Sequence, residues 1–72
     1  MNEKSIKIRE KDEYITLQNL LKIEDYIQTG GMAKTYLIDN DVYVNDEIEN
    51  RRGRKLYRKD KIKIYDTIYV IE

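Results

Sequence analysis

The chain has no cysteine, no histidine, no proline, no tryptophan and no phenylalanine, and only three glycines in 72 residues. Each absence removes a class of chemistry. Without cysteine there is no disulfide framework, thiolate nucleophile or thiolate metal site. Without histidine the usual imidazole general base and the commonest metal ligand are both missing. A hydrolase or a metalloenzyme is therefore not expected, and no cofactor, metal or small-molecule substrate is implied. The core has to be aliphatic, because seven tyrosines supply all the aromatic surface. No apolar run approaches the roughly 18 residues of a membrane helix, and no signal-peptide core is present. The chain reads as soluble and cytoplasmic. Its length suits one domain over residues 1–72, with about 60% of the unfolded surface removed from water.

What is present is charge, and it is divided. The formal net charge is zero. Residues 1–50 hold 6 Lys/Arg and 11 Asp/Glu, a net of −5, and residues 51–72 hold 8 and 3, a net of +5. Six cations fall within residues 51–59: Arg51, Arg52, Arg54, Lys55, Arg58 and Lys59. A folded domain that gathers cations in one segment builds a local positive field, and the natural ligand of such a field is a polyanion such as RNA.

Local patterns give the elements. Ile6 and Ile8 alternate with Lys7 and Arg9, which predicts a half-buried strand over 5–9. A charged turn follows from Glu10 to Glu13. Thr16 is a good N-cap for a helix starting at Leu17, with Leu17, Leu20 and Leu21 as its apolar stripe. Tyr26 and Ile27 are expected to pack in the connection after it. Thr29-Gly30-Gly31 stops one helix and opens another, since glycine tolerates positive φ. A second helix runs from about Met32 to Asp39, with Ala33, Tyr36 and Leu37 on one face. Val42 to Val44 reads as a strand, Asn45-Asp46 as a type I′ turn, and Ile48 as part of the return strand. The basic run is expected to form an exposed arm with Leu56 as its apolar anchor. Lys61 to Tyr65 is a strand with Ile62 and Ile64 inward, and Ile68 to Ile71 makes the last strand. The order implies an α+β fold with two short helices packed on a small antiparallel sheet.

These pieces occur in a characteristic order. It runs Ile15-Thr16-Leu17-Gln18-Asn19-Leu20-Leu21-Lys22, then Gly30-Gly31-Met32-Ala33-Lys34, then Val42-Tyr43-Val44-Asn45-Asp46-Glu47. Arg51-Arg52-Gly53-Arg54-Lys55-Leu56 and Lys59-Asp60-Lys61-Ile62 complete it. The set resembles the alpha-L RNA-binding motif. This is the S-four domain, named from a small-subunit ribosomal protein and also found in tyrosyl-tRNA synthetases and pseudouridine synthases. The likeness is strongest to the small stand-alone bacterial members of the YaaA type, and it covers roughly residues 14–64. The chain departs from the pattern at two turns, with Asp46 and Lys59 where glycine is usual. The resemblance implies that the start of the second helix and the loop after the hairpin face structured RNA. Carried over position by position, it points to Gly31, Lys34, Asn45, Arg51, Arg52, Arg54 and Lys55.

The chemistry suits those residue types. Arginine offers a planar donor fork for phosphate and can stack on bases. A helix N-terminus behind Gly30-Gly31 offers free N–H groups to an anion. A-form RNA displays shape, phosphates and 2′-hydroxyls more readily than base edges. Each residue also has a plainer role. Lys34 can be a solvated helix residue, Asn45 a turn former, Tyr57 a half-buried packing group and the basic run a solvated loop. The function this implies is non-catalytic binding of structured RNA, chiefly ribosomal RNA or a ribosomal particle, by a monomer. The alternative is a protein-interaction adaptor whose acidic N-terminal part binds a basic partner. On the RNA reading, Arg51→Glu with Arg54→Glu is expected to leave the fold intact, and Gly31 is expected to hold a positive φ.

Overall fold

The chain is described here by a computed structural model covering residues 2–72. The elements follow in the order β1 (Asn2–Ile6), β2 (Tyr14–Thr16), α1 (Leu17–Ile23), a 3₁₀ turn (Gly30–Met32), α2 (Ala33–Asp39) and β3 (Val42–Val44). Then come β4 (Glu47–Ile48), β5 (Lys55–Tyr57), β6 (Lys61–Ile64) and β7 (Thr67–Ile71). One sheet has the strand order β1-β7-β6-β3-β4, and a second, two-stranded sheet pairs β2 with β5. No helix among the described residues is long and apolar enough to cross a membrane.

Seven residues are too few to sustain a helix alone in water. α1 persists because its ends are satisfied and its leucines are buried. At its start the Thr16 hydroxyl accepts from the Asn19 backbone N–H at 3.2 Å. At its end Asp25 adopts φ 63°. The Asp25 N–H donates to the Lys22 carbonyl at 3.1 Å and the Tyr26 N–H to the Leu21 carbonyl at 2.9 Å. That pair of bonds is the Schellman closure, with aspartate in the left-handed position that usually takes glycine.

Leu17, Leu20 and Leu21 of α1 meet Val42 and Val44 of β3, Leu56 of β5, Ile62 and Ile64 of β6 and Ile71 of β7 in one fully buried cluster. Each such side chain contributes about 1.5–3 kcal/mol by leaving water. Three tyrosines take the place of the missing phenylalanine and tryptophan. Tyr26 packs on Tyr36 and Tyr69 with ring centroids 5.9 and 6.2 Å away. The Tyr26 and Tyr69 hydroxyls share a 2.7 Å hydrogen bond.

The α+β architecture agrees with the sequence reading, as do the N-cap at Thr16 and the inward Ile62 and Ile64. Three details differ. The larger sheet is mixed, because β1 runs parallel to β7, from Asn2 opposite Thr67 to Ile6 opposite Ile71. The first strand lies at Asn2–Ile6, although Ile8 is buried beside Ile6 as the alternation requires. Part of the expected exposed arm is the strand β5, paired with β2 through Tyr14, Ile15 and Thr16.

The hairpin turn is the expected type I′, with positive φ at Asn45 (51°) and Asp46 (70°). Lys59 sits at φ 80° before Asp60. Asp46 and Lys59 are thus side-chain-bearing residues in the conformation that glycine adopts without strain. Asp46→Gly and Lys59→Gly are each expected to stabilise the fold by about 0.5–1 kcal/mol, once relief of left-handed strain is set against the greater freedom of glycine in the unfolded chain. Urea unfolding of the two variants measures this. A loss of stability in both would refute the strain account.

Candidate nucleic-acid interface

The segment between β4 and β5 is organised around a carboxylate. Glu49 is 5% exposed, and among the described residues it is the one charged side chain that is buried. Its backbone N–H is tied to the Val42 carbonyl at 2.8 Å, which places the side chain under the basic run. Four donors converge on its two oxygens. The Arg51 backbone N–H and Nε donate to Oε2 at 3.1 and 2.9 Å, and one Arg51 terminal nitrogen donates to Oε1 at 3.0 Å. An Arg54 terminal nitrogen donates to Oε1 at 2.7 Å. The Arg51 fork holds the carboxyl at about 2, against an ordinary 4.5. Burial opposes that shift, and Arg54 and the Arg51 N–H reinforce it.

The other side of the arm is held by α1. The Leu17 N–H donates to the Arg54 carbonyl and the Gln18 N–H to the Arg52 carbonyl, both at 2.9 Å. With Thr16 capping Asn19, the first three N–H groups of α1 are satisfied by protein. The helix start therefore anchors the arm and has no free donors there for an anion. Gln18 also reaches the joint before α2, where a Cβ at Gly30 would lie 2.4 Å from its Nε2.

The seven sequence-predicted residues fall into distinct settings. Arg51 and Arg54 are joined at Glu49, so part of each guanidinium is committed inside the protein. Arg52 and Lys55 are exposed on the same segment, and neither side chain has a hydrogen bond or ion pair among the described residues. Lys34 is exposed in the first turn of α2. Asn45 is in a different network: its Oδ1 accepts from the Lys61 N–H at 3.0 Å and its Nδ2 donates to Asp60 at 3.1 Å. Asp60 in turn accepts from the Tyr57 N–H at 2.8 Å. Asn45 thus ties the β3–β4 turn to the end of β5.

Gly31 departs from the expectation of positive φ, since no glycine among the described residues adopts it. The joint is a right-handed 3₁₀ turn, and a Cβ at Gly31 would meet only the Thr29 hydroxyl, at 3.9 Å. Sequence reasoning passed over Glu49, which looks like one more surface acid in a charged stretch. Its place two residues before an arginine run was the available signal. It also passed over the role of Arg58, which donates to the Asp12 and Arg9 carbonyls at 3.0 and 3.1 Å and so pins the turn after β1.

The ties to Glu49 change what substitution of the arm should do. Arg51→Glu with Arg54→Glu leaves a buried carboxylate unpaired beside two new ones, so a loss of about 3–5 kcal/mol is expected instead of an intact fold. The pH dependence has a definite sign. The folded pKa of Glu49 lies below its ordinary value, so its stabilisation is present above about pH 4.5 and is lost as pH falls toward 2. Glu49→Gln should therefore cost about 1–3 kcal/mol near neutral pH. The gap to the parent protein should close through that acid window. Urea unfolding at several pH values reads this, and a gap independent of pH would refute it.

Comparison with known proteins agrees with the geometry. The family model for the S4 domain matches residues 6–72. A 52-residue stretch is 58% identical to the "Probable ribosome maturation protein RlbA" of Bacillus subtilis (strain 168), spanning 72% of this chain and 73% of that relative. Matched by that model over nearly its whole length, this chain belongs to the S4 domain family.

Proposed function

We propose that the chain is a non-catalytic module that binds structured RNA in the cytoplasm, with ribosomal RNA during ribosome maturation as its target. Residues 1–72 act as one binding unit. The observation that carries this reading is the basic arm, fixed from below by Glu49 and from the side by the start of α1, with Arg52 and Lys55 directed to solvent. The family and the ribosome-maturation name of the relative support the same conclusion. The mechanism is phosphate neutralisation and shape fit, with no bond made or broken. Arg52 and Lys55 supply free charge. Arg51 and Arg54 supply what remains of their donors from fixed positions, so less side-chain freedom is lost on binding. Lys34 and the uncrowded backbone at Gly31 extend the surface toward α2.

The adaptor reading is less well supported. Three of the acidic side chains in residues 1–50, Asp12, Glu24 and Glu49, are engaged by Arg9, Lys4 and the Arg51–Arg54 pair. That thins the acidic surface a basic partner would need.

Binding should fall with salt. If about four to six phosphates are neutralised, the slope of log affinity against log salt is roughly −3 to −5. Filter binding or fluorescence anisotropy on ribosomal RNA fragments across a salt series gives the slope, and a flat response would sink the RNA reading. Because the Arg52 and Lys34 side chains have no hydrogen bond or ion pair among the described residues, Arg52→Glu with Lys34→Glu should weaken RNA binding at least about tenfold while moving stability by less than about 0.5 kcal/mol. Gly31→Ala should also fold normally, so any loss of RNA affinity in that variant reports close approach of the RNA backbone. Unchanged affinity would remove Gly31 from the surface.

A further inference from the structure

The small β2–β5 sheet has two faces. Its register sets Tyr14 opposite Tyr57, Ile15 opposite Leu56 and Thr16 opposite Lys55. Strand alternation sends Ile15 and Leu56 to the core, where Leu56 is fully buried and Ile15 packs against it. The other face carries Tyr14, Tyr57 and Lys55. Their arrangement differs from that of the Tyr26, Tyr36 and Tyr69 cluster, whose hydroxyls and rings are turned inward. Tyr14 is 37% exposed and Tyr57 46%. Their ring centroids are 5.7 Å apart at a 54° tilt, an aromatic pair in contact that stays partly open to solvent. Lys55 Nζ stands 5.0 Å from the Tyr14 centroid, which holds its charge beside the aromatic surface. Next to Tyr57 opens a groove of about 420 Å³ lined by Arg51, Gly53, Arg54, Lys55 and Tyr57. Gly53 leaves one side of it clear, with no atom within 4 Å of where a Cβ would stand.

A cross-strand tyrosine pair by itself stabilises a ladder. Here it adjoins a groove whose rim carries three cations, and that combination suits one kind of occupant. An unpaired base offers a π-face for an exposed ring and carries phosphates on both sides for nearby cations. A duplex offers phosphates but no accessible π-face. We propose that the Tyr14–Tyr57 face binds one unpaired base of the target RNA. The base stacks on Tyr57 and its flanking phosphates lie on Arg54 and Lys55. This rests on the RNA-binding reading and adds to it a preference for RNA with a bulge or loop beside a helix.

The test uses two hairpin RNAs that differ only in a single bulged 2-aminopurine. The parent protein should bind the bulged hairpin more tightly than the fully paired one, and the 2-aminopurine fluorescence should be quenched on binding. Tyr57→Leu should lower affinity for the bulged RNA on the order of tenfold, with the paired hairpin unaffected. Tyr57→Phe, which keeps the ring, should retain both the affinity and the quenching. The quenching and the phenylalanine variant keep the test decisive if the leucine variant fails to fold. Equal binding of the two hairpins by the parent protein without quenching would overturn the stacking site and leave RNA binding standing. Equal loss on both RNAs in a folded Tyr57→Leu would overturn it too. If the parent protein binds neither hairpin, both this inference and the reading it rests on fail.

Discussion

The surface of this protein depends on one buried carboxylate. Glu49 lies beneath the basic arm and accepts from Arg51 and Arg54, which would otherwise repel each other across a short loop. A charge at 5% exposure is costly to desolvate unless it is paired and fully hydrogen-bonded. Glu49 meets that condition with four donors, three of them from Arg51, so the arm keeps its shape because releasing Arg51 would leave the buried acid with one donor. One acid thus fixes two cations in place and still leaves local charge positive.

The same segment satisfies a second demand. A helix start leaves N–H groups without partners, and in many proteins these attract an anion. Here the carbonyls of Arg52 and Arg54 accept from the first two residues of α1. The helix is capped by the loop, and the loop is positioned by the helix. On the proposed RNA-binding reading, contact with a polyanion then falls to side chains, chiefly the exposed Arg52 and Lys55. Within four residues the segment thus holds two arginines tied to Glu49, Arg51 and Arg54, and one, Arg52, whose side chain has no such tie.

Much of the fold was legible because its signals are local. The Thr16 cap and the leucine spacing lie within six residues, and the type I′ turn is set by Asn45-Asp46. Long-range pairing was not legible. Tyr14 to Thr16 is three residues long and shares Thr16 with the helix cap, so nothing nearby announces its partner about forty residues on. The direction of β1 against β7 leaves no trace in an alternation pattern that reads the same for parallel and antiparallel strands. For the candidate interface, residue types could be read but their division could not. Glu49 is five residues from Arg54 across a loop, where no periodicity brings side chains together. Gly31 misled because a Gly-Gly pair suggests unusual dihedrals. The 3₁₀ turn needs only ordinary ones, and the tight fit is at Gly30, against Gln18.

The parallel pairing of β1 with β7 constrains how the chain is made. β1 is one of the two edge strands, and among the described residues it pairs with β7 alone. In synthesis from the N-terminus, Asn2 to Ile6 emerge well before Thr67 to Ile71 and find these partners only when those residues have followed. The α1 leucines and the β3 hairpin can collapse earlier, but Ile6 and Ile71 complete the core together. The sheet therefore closes as a late step, joining segments some 65 residues apart, as expected where non-local contacts must overcome loop-closure entropy. Until that step, β1 is an unpaired edge waiting for β7.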